Sequence, residues 1–141
     1  MPQKLISPMK KRIICAGTFD TLHTGHLAYF ESAKALAKDA ELIVIVARDT
    51  TSEKIKKKKP KNNEEKRLAV ISKLPIVNKA VLGYPDGRII ERIISLRPDI
   101  IALGHDQWAK EDWLTKELQK HGLVVKIKRM PRFEKRSLSV E

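Results

Sequence analysis

The chain has 141 residues, with 29 Lys and Arg against 17 Asp and Glu, for a formal charge of +12. That length fits one domain with one core. No apolar run approaches the ~20 residues that cross a bilayer, and Met1–Pro8 lacks a signal-like apolar core, which predicts a cytoplasmic protein. A single cysteine, Cys15, excludes an intrachain disulfide, and the positive charge calls for an anionic partner, either a nucleotide or a nucleic acid.

In chain order, residues 1–10 read as a tail, 11–130 as the folded domain and 131–141 as a second tail. Ile13-Ile14-Cys15-Ala16 is apolar without alternation, as in a strand covered on both faces. Cys15 reads there as a small core residue. Gly17-Thr18-Phe19-Asp20-Thr21-Leu22-His23-Thr24-Gly25-His26 follows, then a helix over 25–38 that carries Leu27, Phe30 and Leu36. Residues 41–47 form a second buried strand rich in β-branched side chains. Six of the ten residues from Ser52 to Lys61 are lysine, which predicts an exposed, mobile loop. Asn62 with Glu65 three residues on is a capping signal. The helix it opens, over 63–74, buries Leu68, Ile71 and Leu74, and Pro75 stops it. A third strand lies within 77–83. Asp86 can cap the next helix, where Ile89/Ile93 and Ile90/Ile94 recur four apart, and Pro98 closes it. Residues 99–104 form a fourth strand. His105-Asp106-Gln107 leads into a helix over 107–121 with Trp113 in the core, ending at Gly122. Residues 123–127 form a fifth strand.

Strands alternating with helices predict an α/β fold: a doubly wound, five-stranded parallel sheet with helices on both faces and right-handed crossovers. Ligands bind such sheets outside the carboxyl ends of the strands, at the switch point. That rule brings together Gly17–His26, Arg48–Pro60, Gly83–Gly87 and Gly104–Gln107.

A strand, a turn with two glycines and two histidines, then a helix suits phosphate. Unpaired N–H groups and the positive end of the dipole gather at a helix N-terminus. Gly17 and Gly25 let backbone approach a ligand. His23 and His26, three residues apart, can aim both rings at one place. Attack of a phosphate oxygen on the α-phosphorus of a nucleoside triphosphate needs positioned anions and hydrogen-bond donors rather than a protein nucleophile. A histidine serves there as a donor or as a cation.

Gly17–His26 resembles the signature of the cytidylyltransferase-like nucleotidyltransferases, whose His-x-Gly-His tetrapeptide holds a nucleoside triphosphate. The resemblance implies a Rossmann-like fold, with His23 and His26 as the catalytic pair. It implies nucleotide contacts from Thr18, Phe19, His23, Thr24, Gly25 and His26, turn support or a substrate contact from Asp20, and a nucleoside contact from Asp106. Over about residues 11–108 the chain looks most like the archaeal FAD synthases, through Val44–Asp49, Glu65-x-Arg67, Ala80–Gly83 and Leu96-x-Pro98-Asp99-Ile100-Ile101-x-Leu103-Gly104-x-Asp106-Gln107. That similarity implies FMN and ATP as substrates, FAD and diphosphate as products, a homodimer, and a divalent cation such as Mg²⁺ bound through the phosphates with no dedicated protein metal site. Arg136-Ser137-Leu138-Ser139 is similar to an Arg/Ser-rich phosphate motif of nucleotidyltransferases.

Several residues keep two readings. Asp106 suits a helix N-cap as well as a nucleoside contact. Arg67 is either on a solvated helix face or at the substrate. The lysines of 56–59, Lys57 among them, either hold phosphate or are simply solvated. Trp108 either packs or lies near a base or an isoalloxazine ring. One alternative activity is CTP-dependent cytidylyl transfer to glycerol 3-phosphate or a similar alcohol phosphate, although Leu74–Lys79 lacks the Arg-Tyr-Val-Asp-like segment of that branch. Another is a basic nucleic-acid-binding domain without catalysis. RNA readers present aromatic stacking platforms; here aromatics make up 5% of residues and none flanks the lysine run. Neither nucleic acid nor membrane is expected as a partner.

Overall fold

The computed structural model describes residues 10–86, 88–107 and 109–134. The strands are β1 (Arg12–Gly17), β2 (Glu41–Val46), β3 (Lys79–Leu82), β4 (Ile100–Leu103) and β5 (Lys126–Arg129). All pair in parallel, in the order β3-β2-β1-β4-β5. The helices are α1 (Thr24–Lys34), α2 (Asp49–Lys56), α3 (Glu64–Ser72), α4 (Ile89–Leu96) and α5 (Glu111–Lys120).

The central strands do not alternate in sequence because both their faces are covered. Successive side chains still point to opposite sides. Ile13, Cys15, Leu42, Val44 and Val46 pack with Phe30 of α1 and Ile71 of α3, whereas Ile14, Ile43, Ile45 and Ile101 pack with Ile90 and Ile93 of α4 and Leu114 and Leu118 of α5. Cys15 is fully buried in the first of these layers.

The strand order turns back at β1, which makes the β1–β4 seam the switch point. Those two strands pair only at Ile13↔Ile100 and Ile14↔Ile101, while β1 follows β2 along its whole length. Beyond Ile14 the seam is bridged by side chains. The Tyr29 hydroxyl donates to Ala102 O at 2.5 Å and accepts from Ala16 N. The Gln107 amide donates to Ala16 O at 2.8 Å and accepts from Gly104 N at 2.8 Å.

Several sequence expectations are corrected. The lysine-rich stretch begins as a helix, α2, rather than a loop. Asp49 stands in its first turn and Lys54 and Lys56 in its last, which suits the helix dipole, and lysine is a good helix former. Asn63, not Asn62, caps α3, accepting from Lys66 N at 2.8 Å. The N-cap of α4 is Arg88 rather than Asp86. Helix α5 starts at Glu111, so Asp106 is not its cap. Strand β5 lies later than 123–127 because it is an edge strand fixed by pairing with β4 rather than by burial; Val124 is 80% exposed. Trp113 is 40% exposed instead of sitting in the core. The expectations for Gly87, Trp108 and Arg136–Ser139 fall outside the described residues. Among the described residues, no helix is long and apolar enough to cross a membrane.

Candidate active site

The carboxyl ends of the strands open into a cleft of about 880 Å³, within the size range of small-molecule sites. Its floor is the turn between β1 and α1. Phe19 takes a left-handed backbone, φ 53°, which is uncommon for a residue with a side chain and marks local strain. The turn folds its ring back over Gly17, where a Cβ would lie 2.8 Å from Phe19 Cζ. The same ring meets His26 edge-on at 5.1 Å. Gly25 is required for a similar reason, since a Cβ there would lie 2.9 Å from His23 Cε1.

His23 is the N-cap of α1 and His26 the third residue of its first turn. Their rings stack with centroids 3.7 Å apart and planes 17° from parallel. His26 Nδ1 accepts from the His23 backbone N–H at 3.1 Å, and the His26 N–H donates to His23 O at 3.0 Å. Two imidazoles thus occupy the positions that Ser/Thr and Glu/Gln hold in an ordinary capping box. Because Nδ1 of His26 is an acceptor, the proton of its neutral ring is on Nε2. His26 itself borders the cleft.

Thr18, Phe19, Asp20, His23, Gly25, His26 and Asp106 all border the cleft. Thr24 turns its hydroxyl to Glu134 O at 3.3 Å. Lys57 is the left-handed C-cap of α2, whereas Lys54 and Lys56 border the cleft. Asp106 is 77% exposed, with His105 Nδ1 3.9 Å away. The wall continues past residue 130 through Pro131 and Phe133.

Arg67 plays a part its sequence position did not announce. It is 1% exposed. Its guanidinium donates to Thr18 O, Ala47 O and Asn62 O at 2.8–2.9 Å and to Asp49 Oδ1 at 2.5 Å. It therefore braces the cleft from behind rather than touching what the cleft holds. The signal available in the sequence was its spacing: Arg67, Ile71 and Leu74 share one helical face. Asp20 joins the same network, accepting from Lys61 N at 2.7 Å and Asn62 N at 2.9 Å. Burial works to raise the Asp20 carboxyl pKa, but those donors, the Asn62 amide and the Arg67 charge outweigh it and hold the group below its ordinary value. Thr18 Oγ1 meets the buried Ser52 Oγ at 3.0 Å, and Glu64 binds both Arg48 and the Asp49 N–H at 2.9 Å, so α2 is tied to the floor.

Across the seam Arg129 does similar work. It donates to Gly104 O, Gln107 O and Ala109 O at 2.7–3.1 Å and to both oxygens of Glu111 at 3.0 Å. Its hydrogen bonds lead the causes that lower the Glu111 carboxyl pKa. Nothing in the run Lys126-Ile127-Lys128-Arg129 distinguished it from a solvated edge residue. Tyr29, Gln107 and Arg129 are thus the supports that the sequence reading missed.

A seam bridged by side chains, with a helix N-terminus and two imidazoles beside it, is the architecture of a nucleotide-handling α/β protein. Residues 14–139 match the family described as Cytidylyltransferase-like. The chain is 49% identical over 126 residues to the FAD synthase of Korarchaeum cryptofilum, covering 89% of this chain and 84% of that protein. It is 45% identical over 119 residues to the FAD synthase of Methanothrix thermoacetophila, covering 84% and 80%. A crystal structure described as the lipopolysaccharide core biosynthesis protein from Thermoplasma volcanium superposes with a TM-score of 0.83 at 40% identity, covering 89% of this chain and 100% of that one. The chain belongs to the FAD synthases of the cytidylyltransferase-like family.

Proposed function

We propose that the protein transfers the adenylyl group of ATP to the phosphate of FMN, giving FAD and diphosphate. A phosphate oxygen of FMN attacks the α-phosphorus in line. The bond from that phosphorus to the oxygen bridging it to the β-phosphate breaks, and diphosphate leaves. The observation that carries this reading is the stacked His23–His26 pair at the start of α1, on the floor of a cleft that extends to both sides of β1. The choice of ATP and FMN rests on the FAD synthases to which the chain is similar.

In this reading the N-terminus of α1 receives the phosphates. The Nε2–H of His26 donates to a non-bridging oxygen as charge grows there, and His23 holds His26 in register. Such a preorganised donor lowers the barrier because it needs no reorganisation at the moment of reaction. Thr18, Phe19 and Gly25 shape the phosphate seat, and Asp106 reaches the nucleoside. Lys54 and Lys56 screen the repulsion between the two anions.

The phosphates also bring a divalent cation, for which Mg²⁺ has the appropriate preference for oxygen. Among the described residues, no group of three His, Cys, Asp or Glu side chains is placed to hold an ion. Both Asp20 oxygens already accept from residues 61 and 62. Asp106 is the carboxylate on hand, and the phosphates supply the other ligands. When bound, the cation neutralises phosphate charge. The reading includes a homodimer acting in the cytoplasm, and sedimentation of the purified protein checks the first of these.

The test is a substrate matrix with Mg²⁺: ATP or CTP, each with FMN, glycerol 3-phosphate or no acceptor, followed by diphosphate release and product chromatography. FAD from ATP and FMN alone is the expected result. A CDP-linked product, or no diphosphate with FMN, overturns it.

A further inference from the structure

Strands β1 and β4 stop pairing after Ile14 and Ile101. Further along, Ala16 still turns its N–H and its C=O into the seam, where Tyr29 takes the first and Gln107 the second. A backbone group left unpaired there would cost about as much as a lost hydrogen bond. On the β4 side, Gly104 N is in the same position. One side chain serves both strands. Gln107 Nε2 donates to Ala16 O, and Gln107 Oε1 accepts from Gly104 N, each at 2.8 Å. The amide acts as an inserted peptide unit, a donor toward β1 and an acceptor toward the end of β4. Only Gln and Asn carry an amide donor and acceptor together, and Asn is one methylene shorter.

The same residue closes a turn. Its N–H donates to Gly104 O at 3.3 Å, which leaves His105 and Asp106 between the two ends. All four residues of the turn border the cleft. Arg129 holds the turn from the β5 side, donating to Gly104 O, Gln107 O and Ala109 O. The bonds of Arg129 give the turn its shape. The bond of Gln107 to Ala16 sets how far the turn stands from β1, and Ala16 is followed at once by Gly17 and Thr18 of the floor. Tyr29, fully within the core, joins the strands deeper down through Ala102 O. Gln107 is the tie at the lip of the cleft.

We infer that Gln107 is a positioning residue for the donor nucleotide: by tying the turn that carries Asp106 to the strand that leads into the histidine floor, it fixes the distance between the nucleoside end and the phosphate end of the cleft. This rests on the reading above, in which Asp106 reaches the nucleoside and α1 receives the phosphates. Nucleoside and phosphates are two linked groups, and a linked ligand gains from both subsites only where their separation matches its own span. A reacting group misplaced by about 1 Å loses about 100-fold in rate.

Steady-state kinetics with ATP, FMN and Mg²⁺ give kcat and both KM values for wild type, Gln107→Glu and Gln107→Leu. Inhibition by diphosphate reads the phosphate seat alone. Gln107→Glu keeps an acceptor for Gly104 N and loses only the donor to Ala16 O, so it cuts the tie across the seam without opening the turn. It is expected to raise the KM for ATP about tenfold and to lower kcat about tenfold. The KM for FMN and the inhibition constant of diphosphate are expected to stay within about twofold, because each belongs to one side of the seam. Gln107→Leu, which lacks both halves of the amide, is expected to lose at least as much. Circular dichroism checks that each variant is folded, and Gln107→Asn, too short to span the seam, replaces any that is not. A KM for ATP and a kcat both within about twofold of wild type in Gln107→Glu overturn the inference. So does a parallel loss of affinity for ATP and diphosphate, which marks damage to the floor itself. In either case wild-type FAD formation leaves the flavin reading standing. A wild-type protein that forms no FAD removes the reading and the inference together.

Discussion

Arg67 and Arg129 hold the two halves of the site with the same chemistry in different surroundings. Each spreads its planar guanidinium over a set of backbone carbonyls and one carboxylate, a geometry that lysine cannot reproduce. Arg67 gathers Thr18, Ala47, Asn62 and Asp49 on the β1–β2 side. Arg129 gathers residues 104–111 on the β4 side. Arg67 is shut away from water, whereas Arg129 and Glu111 both reach solvent. The difference lies in what replaces the arginine when it is lost. Loss of Arg67 empties a site that water does not reach, whereas solvent already touches the Arg129 side chain. The histidine floor is therefore fixed as part of the core, and the nucleoside loop is fixed as part of the surface.

The sharpest way to break this comparison is Arg67→Met. The variant leaves the carbonyls of Thr18, Ala47 and Asn62 without their buried donor, a loss of about 2 kcal/mol or more. Chemical denaturation should show that loss, and turnover should fall with it because Thr18 O loses its anchor. Arg129→Met should cost about 1 kcal/mol, as expected for a solvated pair, while the KM for ATP rises severalfold. Equal stability losses in the two variants would end the distinction between core-held and surface-held halves.

Acid sharpens the comparison further. The Asp20 carboxyl is depressed in the folded state, so its contribution to stability is present above the unfolded value of about 3.9. That contribution is lost as pH falls through the depressed value. Thermal midpoints of wild type should decline in that range, and those of Asp20→Asn should decline less. A parallel decline in both would remove Asp20 from the network.

The smallest effect is alkaline. Burial pushes the Cys15 thiol up to about 12, with a hydrogen bond to Tyr29 acting the other way. Its neutral form is favoured in the folded chain, so stability is intact below the unfolded value of about 8.5 and erodes as pH rises toward 12. Thiol alkylation at neutral pH should therefore proceed only as fast as the protein unfolds. Rapid labelling of the native protein would show that the seam behind the site opens on its own.

The legible parts of the molecule are those whose signal is local. Ile13–Ala16, the two glycines and the paired histidines lie within fourteen residues, and strand, turn and helix follow from them directly. The histidine stack was legible as a spacing of three. Arg67 was obscured by its neighbours, since Glu64, Glu65 and Lys66 make the start of α3 read as a solvated face although the residue itself falls on the buried one. Arg129 was not legible, because its partners lie in and beyond the loop after β4 and nothing local marks it, and Gln107, though part of the Gly104-x-Asp106-Gln107 motif, gave no sign that its amide crosses the seam to Ala16 O. The lysine run misled in the other direction: its charge hid a helix fixed by Ser52 and Asp49, two residues with no apolar signature.

The most direct test of the account is the turnover of His26→Ala with ATP, FMN and Mg²⁺, measured beside its thermal midpoint. Loss of one preorganised donor predicts a fall of about 100- to 1000-fold in kcat, with only the stability loss of about 1 kcal/mol that follows loss of a helix cap. A folded His26→Ala protein that turns over within threefold of wild type would contradict the claim that the capping-box histidines perform the transfer.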